Sequence, residues 1–155
     1  MTTPSSPAHG SDQRRQAALS ILSHADMAQL SALYEAIWWN KPQVSPIRGP
    51  ETGLIMVRGR TGGGGAPFNL GEATVSRASV RIDSGEVGHG YCLGRDTGKA
   101  RLIAIIDALF QREPDNVELD ILRPLSDAAG KADKARRDET AATKVDFFTM
   151  VRGED

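Results

Sequence analysis

Two long runs of alternating side chains, ETGLIMVRGR and EATVSRASVRI, flank the glycine-pure segment from Gly62 to Gly65. No other feature restricts the possible folds as much. A period of two places successive side chains on opposite faces, as in a strand and not as in a helix. In the first run Leu54, Met56, Arg58 and Arg60 share one face, and Ile55 and Val57 take the other. In the second, Ala78, Val80 and Ile82 lie opposite Val75, Arg77, Ser79 and Arg81. Asp83-Ser84-Gly85 reads as a turn and EVGHGYCLG as a third strand. Short turns between consecutive strands favour an antiparallel meander.

Helical patterns surround this block. Residues 1–12 are rich in Ser, Thr, Pro and Gly and are expected to form a disordered tail, having little to bury. Two short helical patterns follow. In the second, Asp26 is placed to cap a segment whose Leu30, Leu33, Tyr34, Ile37 and Trp38 recur at helical spacing, until Asn40, Lys41 and Pro42 stop it. Asp96 or Thr97 can cap a helix from about Lys99 to Gln111, with Leu102, Ile105, Ile106 and Leu109 facing the sheet and Pro114 ending it. A strand is expected around Val117 to Leu122, then a charged helix through KADKARRDETAATK, then a C-terminal strand in VDFFTMV. With 155 residues and 39% hydrophobic composition, one core suffices. The expected class is α+β, a mostly antiparallel sheet of three or more strands with N-terminal, middle and C-terminal helices. Residues 13–155 are expected to form its single domain.

Charge and cysteine content narrow the function. A formal net charge of -1 and 5% aromatic residues give no overall drive toward nucleic acid or an anionic membrane. Cys92 is the sole cysteine, so an internal disulfide or a multi-cysteine metal site is excluded. The N-terminus has neither a signal-peptide nor a transit-peptide pattern, and no run is apolar enough to span a membrane. A cytoplasmic protein is expected.

Several segments resemble binding motifs and fail on spacing. The four glycines lead into Ala66, Pro67, Phe68 and an alternating run, whereas a P-loop must enter a helix that carries Lys and Ser or Thr. A hairpin connection fits them, and a flap over an anion, flanked by Arg58 and Arg60, is the alternative. GRDTGKA is one residue short of a P-loop and has Ala100 where a hydroxyl is required; GHGYCLG misplaces Gly94 for a dinucleotide fingerprint. Arg95 and Lys99 nevertheless sit at a helix start, where anions are attracted. Arg58, Arg60, Arg77 and Arg81 would form a basic stripe if strand pairing united their faces, suited to a phosphorylated ligand or an acidic partner. His89 and Cys92 point to opposite sides of a strand, so no metal site is expected, and no catalytic set stands out. Trp38, Trp39, Phe147, Phe148, Met150 and Val151 are the candidate interface residues, since apolar side chains near a chain end need cover.

The segments ETGLIMVRGRTGGGG, GEATVSRASVRI, GYCLGRD, IDALFQ and VDFFTMVRGED, in this order from about Gln13 onward, resemble the PhnG family, the small G subunit of the bacterial carbon-phosphorus lyase core complex. The resemblance implies phosphonate catabolism, by which bacteria obtain phosphate under phosphate starvation. It implies partners: a core holding two copies each of the G, H, I and J subunits, and an ATPase-like L protein in the transfer step. With the H, I and L proteins the family would replace the adenine of ATP by a phosphonate such as methylphosphonate, as an alpha-D-ribose 1-methylphosphonate 5-triphosphate synthase. It implies no cofactor in this subunit, ATP as substrate of the complex, and an iron-sulfur cluster with S-adenosylmethionine in the J subunit. No catalytic residue carries over, and the chain is expected to be part of a transferase without being catalytic alone. The alternative is a stand-alone nucleotide- or phosphate-binding protein or small enzyme using the glycine turn, Arg95 and Lys99.

Overall fold

Alternation over the three central runs produces three strands in the computed structural model, which describes residues 7–39, 41–60 and 64–142. Strands β1 (Val44–Gly59), β2 (Phe68–Ile82) and β3 (Val87–Leu93) form an antiparallel sheet in the order β1-β2-β3. Helices α1 (Pro7–His24) and α2 (Met27–Ala36) precede it, and α3 (Thr97–Arg112) follows. After α3 come α4 (Pro114–Val117), a π-helical turn (Glu118–Leu122) and α5 (Arg123–Ala142). The α+β meander flanked by helices is therefore present. Its expected C-terminal strand lies outside the described residues.

The core lies between the sheet and α3. Ala78, Val80 and Ile82 of β2 are buried, as their shared face requires, together with Leu102, Ile103, Ile105, Ile106 and Leu109 of α3. Each Val, Leu or Ile side chain among them contributes on the order of 1.5–3 kcal/mol when buried. Asp96 caps α3 through the Lys99 N–H at 2.8 Å, and Asp26 caps α2 through the N–H groups of Ala28 and Gln29. Between β3 and α3 the chain reverses at Gly94, whose φ of 93° lies where a side chain would be strained.

Three expectations need correction. Residues 117–122 are helical, not a strand: Val117, Ile121, Leu122 and Leu125 are the buried positions and Leu119 is exposed, which is a helical spacing. Pro114 opens that helix at its first position instead of merely ending α3. α1 already begins at Pro7, so residues 7–12 are helical where a tail was expected. Finally, α2 ends at Ala36 with Ile37 extended, which turns Trp39 inward and leaves Trp38 90% exposed. No helix among the described residues is long and apolar enough to cross a membrane.

Candidate functional site

Cross-strand partners share a face of a sheet, so the register decides which side chains meet on the side turned away from α3. β1 carries Pro46 and Pro50, residues without an N–H that sheets tolerate on edge strands and at bulges. Its pairing with β2 is irregular between Pro46 and Arg48 and again between Arg48 and Glu51. Arg48 faces Ser79 and Glu51 faces Arg77, so three steps along β1 match two along β2. The extra residue brings Arg48 and Glu51, which simple alternation would separate, to the same side. The Glu51 carboxylate accepts from Arg77 Nε at 2.7 Å and lies 3.4 Å from Arg48 Nε.

The other flank of Ser79 is His89 of β3; Ser79 Oγ and His89 Nδ1 are 2.9 Å apart. Two residues along β2, Arg81 is exposed and makes no ion pair with a described residue. The outward face thus gathers Arg48, Arg77 and Arg81 against one carboxylate, Glu51. No carboxylate among the described residues contacts the His89 ring, and Asp107 takes the His89 backbone N–H instead, at 2.8 Å. Ser79 and His89 therefore lack the third group that would orient a nucleophile's base.

Asp107 fastens this face to the helices. It is 1% exposed and accepts from Arg15 Nε at 2.8 Å and Nη2 at 2.7 Å. That bidentate hydrogen bond holds the Arg15 guanidinium still more firmly protonated than usual, against the opposing effect of its partial burial. Gln111 Nε2 donates to the Val87 carbonyl at 2.8 Å, so α3 side chains satisfy two backbone groups of β3.

A second surface is the outer part of the hairpin. β3 pairs only with Val75–Arg81 of β2, so Phe68–Thr74 has β1 as its sole partner strand. This two-stranded ribbon extends roughly 23 Å past the three-stranded sheet at ~3.3 Å per residue. Both of its faces are apolar: Leu54, Met56 and Leu70 are 64%, 55% and 62% exposed, and Ile55, Val57 and Phe68 are also accessible.

The remaining candidates are dispersed. Arg58 pairs with Asn69, eight β2 residues before Arg77 and so roughly 27 Å from it, and Arg60 lies beyond Arg58. The structure consequently does not unite Arg58 and Arg60 with Arg77 and Arg81. Thr61, Gly62 and Gly63 lie outside the described residues. Arg95 is exposed, whereas Lys99 Nζ donates to the Ser23 carbonyl at 2.9 Å, tying α3 to α1. The Asp96 carboxylate already occupies the start of α3, so this helix terminus carries its own anion. His89 and Cys92 fall on opposite faces, and burial pushes the Cys92 thiol up. Phe147, Phe148, Met150 and Val151 lie outside the described residues.

Of the two tryptophans, only Trp38 keeps an open surface. Trp39 is buried and donates from Nε1 to Asp120 Oδ2 at 2.6 Å, which pins the segment before β1 to the π-helical turn. Trp39→Phe should lower stability by about 2 kcal/mol, the scale of one hydrogen bond to a charged group. Urea denaturation would check this, and a loss below about 0.5 kcal/mol would show that the bond contributes little. Alternation hid Arg48 and Glu51 from the sequence reading; the available signal was Pro46, Gly49 and Pro50, which mark an irregular edge strand.

Comparison with known proteins agrees with the motifs. The chain is 56% identical over 147 residues to the alpha-D-ribose 1-methylphosphonate 5-triphosphate synthase subunit PhnG of Rhizobium meliloti (strain 1021), covering 94% of this chain and 93% of that one. The family described as phosphonate metabolism protein PhnG matches residues 13–153. With almost its whole length matched, the chain belongs to the PhnG family.

Proposed function

We propose that the chain is a non-autonomous subunit of a cytoplasmic carbon-phosphorus lyase core complex. With the H, I and L proteins it takes part in transferring the ribose triphosphate moiety of ATP to a phosphonate such as methylphosphonate, with release of adenine. The J subunit supplies the iron-sulfur and S-adenosylmethionine chemistry of a later step. This subunit supplies binding surface and orientation.

The observation that carries this reading is the apolar ribbon. An isolated two-stranded ribbon is only marginally stable in water, and Leu54, Met56, Phe68 and Leu70 form a continuous exposed strip along it. A neighbouring subunit that covers the strip gives those residues their purpose. Family membership and the synthase-subunit name of the relative support a multi-subunit assembly.

Coexpression with the H, I and J proteins tests it. Wild-type chain should copurify with them, whereas Leu54→Asp combined with Met56→Asp should reduce recovery at least tenfold. The same variant should keep the thermal midpoint of the isolated chain within about 3 °C, because surface substitutions away from the core change stability by only about 0.5 kcal/mol. Unchanged recovery, or adenine release from ATP and methylphosphonate by the purified chain alone, would refute the reading.

A further inference from the structure

The outward face of the sheet carries an unbalanced set of arginines that the subunit reading leaves without a role. Ser79 is at its centre, with Arg48 beside it on β1, His89 beside it on β3, and Arg77 and Arg81 on either side along β2. Neighbouring strands lie ~4.8 Å apart and same-face residues of one strand roughly 7 Å apart. The flexible guanidinium groups can therefore converge on one small ligand.

Charge accounting gives this face its chemistry. Arg48, Arg77 and Arg81 are cationic, and Glu51 is the single carboxylate that the register places among them. Glu51 is shared between Arg48 and Arg77, leaving an excess of two positive charges. In the adjoining turn the carboxylates are engaged elsewhere: Asp83 pairs with Arg112 at 3.4 Å, and Glu86, which stays charged, accepts from Ser84 Oγ at 2.5 Å. Arg forks match the oxygens of a phosphoryl or phosphonyl group in pairs, and such charge-assisted bonds are the strong ones. Ser79 and His89 add hydrogen-bonding groups at the floor. From His89 and Tyr91 a groove continues between β3 and α1, lined by Gln16, Leu19 and Ser20, which leaves room for the rest of a ligand.

We propose that Arg48, Arg77 and Arg81, with Ser79 and His89, form a binding site for a multiply charged phosphoryl or phosphonyl oxyanion. Arg58, Arg60, Arg95 and Lys99 take no part in it. Choosing a triphosphate as the probe rests on the proposed function, but the site itself is argued from the register and the charges.

The test is a titration of the full chain with inorganic tripolyphosphate, followed by calorimetry and by amide chemical shifts, on the chain alone and on the copurified complex. Saturable binding should perturb residues 77–81 and 87–91. It should weaken at least tenfold in Arg48→Gln combined with Arg81→Gln. Arg58→Gln combined with Arg60→Gln, which removes the same charge elsewhere, should leave the affinity within twofold. Three results would overturn the proposal: no saturable binding in either preparation, equal weakening by both double variants, or loss of complex recovery in the first variant with tripolyphosphate affinity intact. The last would make this face a contact for an acidic partner surface. Because binding and copurification are read separately, failure of the site and failure of the subunit reading remain distinguishable.

Discussion

Replacing Asp107 by alanine is expected to destabilise the isolated chain by about 3 kcal/mol or more, within the range for breaking a buried ion pair by removing one partner. Three donors lose their acceptor together: Arg15 Nε, Arg15 Nη2 and the His89 backbone N–H. At ~2–4 °C of thermal midpoint per kcal/mol for a domain of this size, the midpoint should fall by roughly 6–12 °C. Thermal and urea denaturation of the purified variant would measure it. Arg15→Met should also be costly, since it leaves the Asp107 charge buried. The pair Arg15→Met with Asp107→Leu should recover part of the loss, because well-packed apolar groups often replace buried ions at little cost. A loss below about 1 kcal/mol for Asp107→Ala would mean that the Arg15–Asp107 pair contributes little to holding the N-terminal helix.

Gly90→Ala is expected to cost about 3 kcal/mol, at the upper end for overpacking a filled core. A methyl group on Gly90 would collide with the Ala100 carbonyl and the Ala104 N–H, and one on Gly88 with the Ala104 carbonyl and the Ala108 N–H. The two glycines therefore sit beneath successive turns of α3, whose backbone lies directly on β3. Rigid main chain on both sides cannot yield as a side-chain tip can, so the whole helix has to move outward. The double variant Gly88→Ala, Gly90→Ala should fail to give a cooperative unfolding transition. Hydrogen exchange should show the loss concentrated in α3, and a variant with unaltered α3 protection would contradict this account. The glycines that imitate part of a dinucleotide fingerprint thus serve helix-on-sheet packing.

Much of the fold was legible because its signals are local. Ala78, Val80 and Ile82 repeat at the strand period, Leu102, Ile105, Ile106 and Leu109 at the helix period, and Asp26 and Asp96 precede the helices they cap. The segment from Val117 to Leu122 misled because a short run that alternates can serve either period. Burial of Ile121, Leu122 and Leu125 against the earlier helices decided it. The site was less legible. Arg77 and Arg81 share a face by simple alternation, but Arg48 joins them only because irregular pairing offsets β1. Arg58 looked equivalent to Arg77 in the sequence, yet the length of the hairpin separates them. Trp38 fitted the helical pattern, but that helix had already ended at Ala36, and Trp39 found the hydrogen-bond acceptor.

The satisfied edge of β3 also determines how the sheet can grow. With the His89 N–H engaged by Asp107 and the Val87 carbonyl by Gln111, an incoming strand finds two of its needed contacts already taken on that side. On the opposite side, Pro46 and Pro50 offer no donor, leaving the stretch of β1 from Gly53 to Gly59 on one edge, and the stretch of β2 from Phe68 to Ala73 that β3 does not pair on the other, able to zip onto foreign backbone. Extension is therefore confined to the outer part of the hairpin. A visiting polypeptide that aligned itself there would at once touch the greasy side chains on either face.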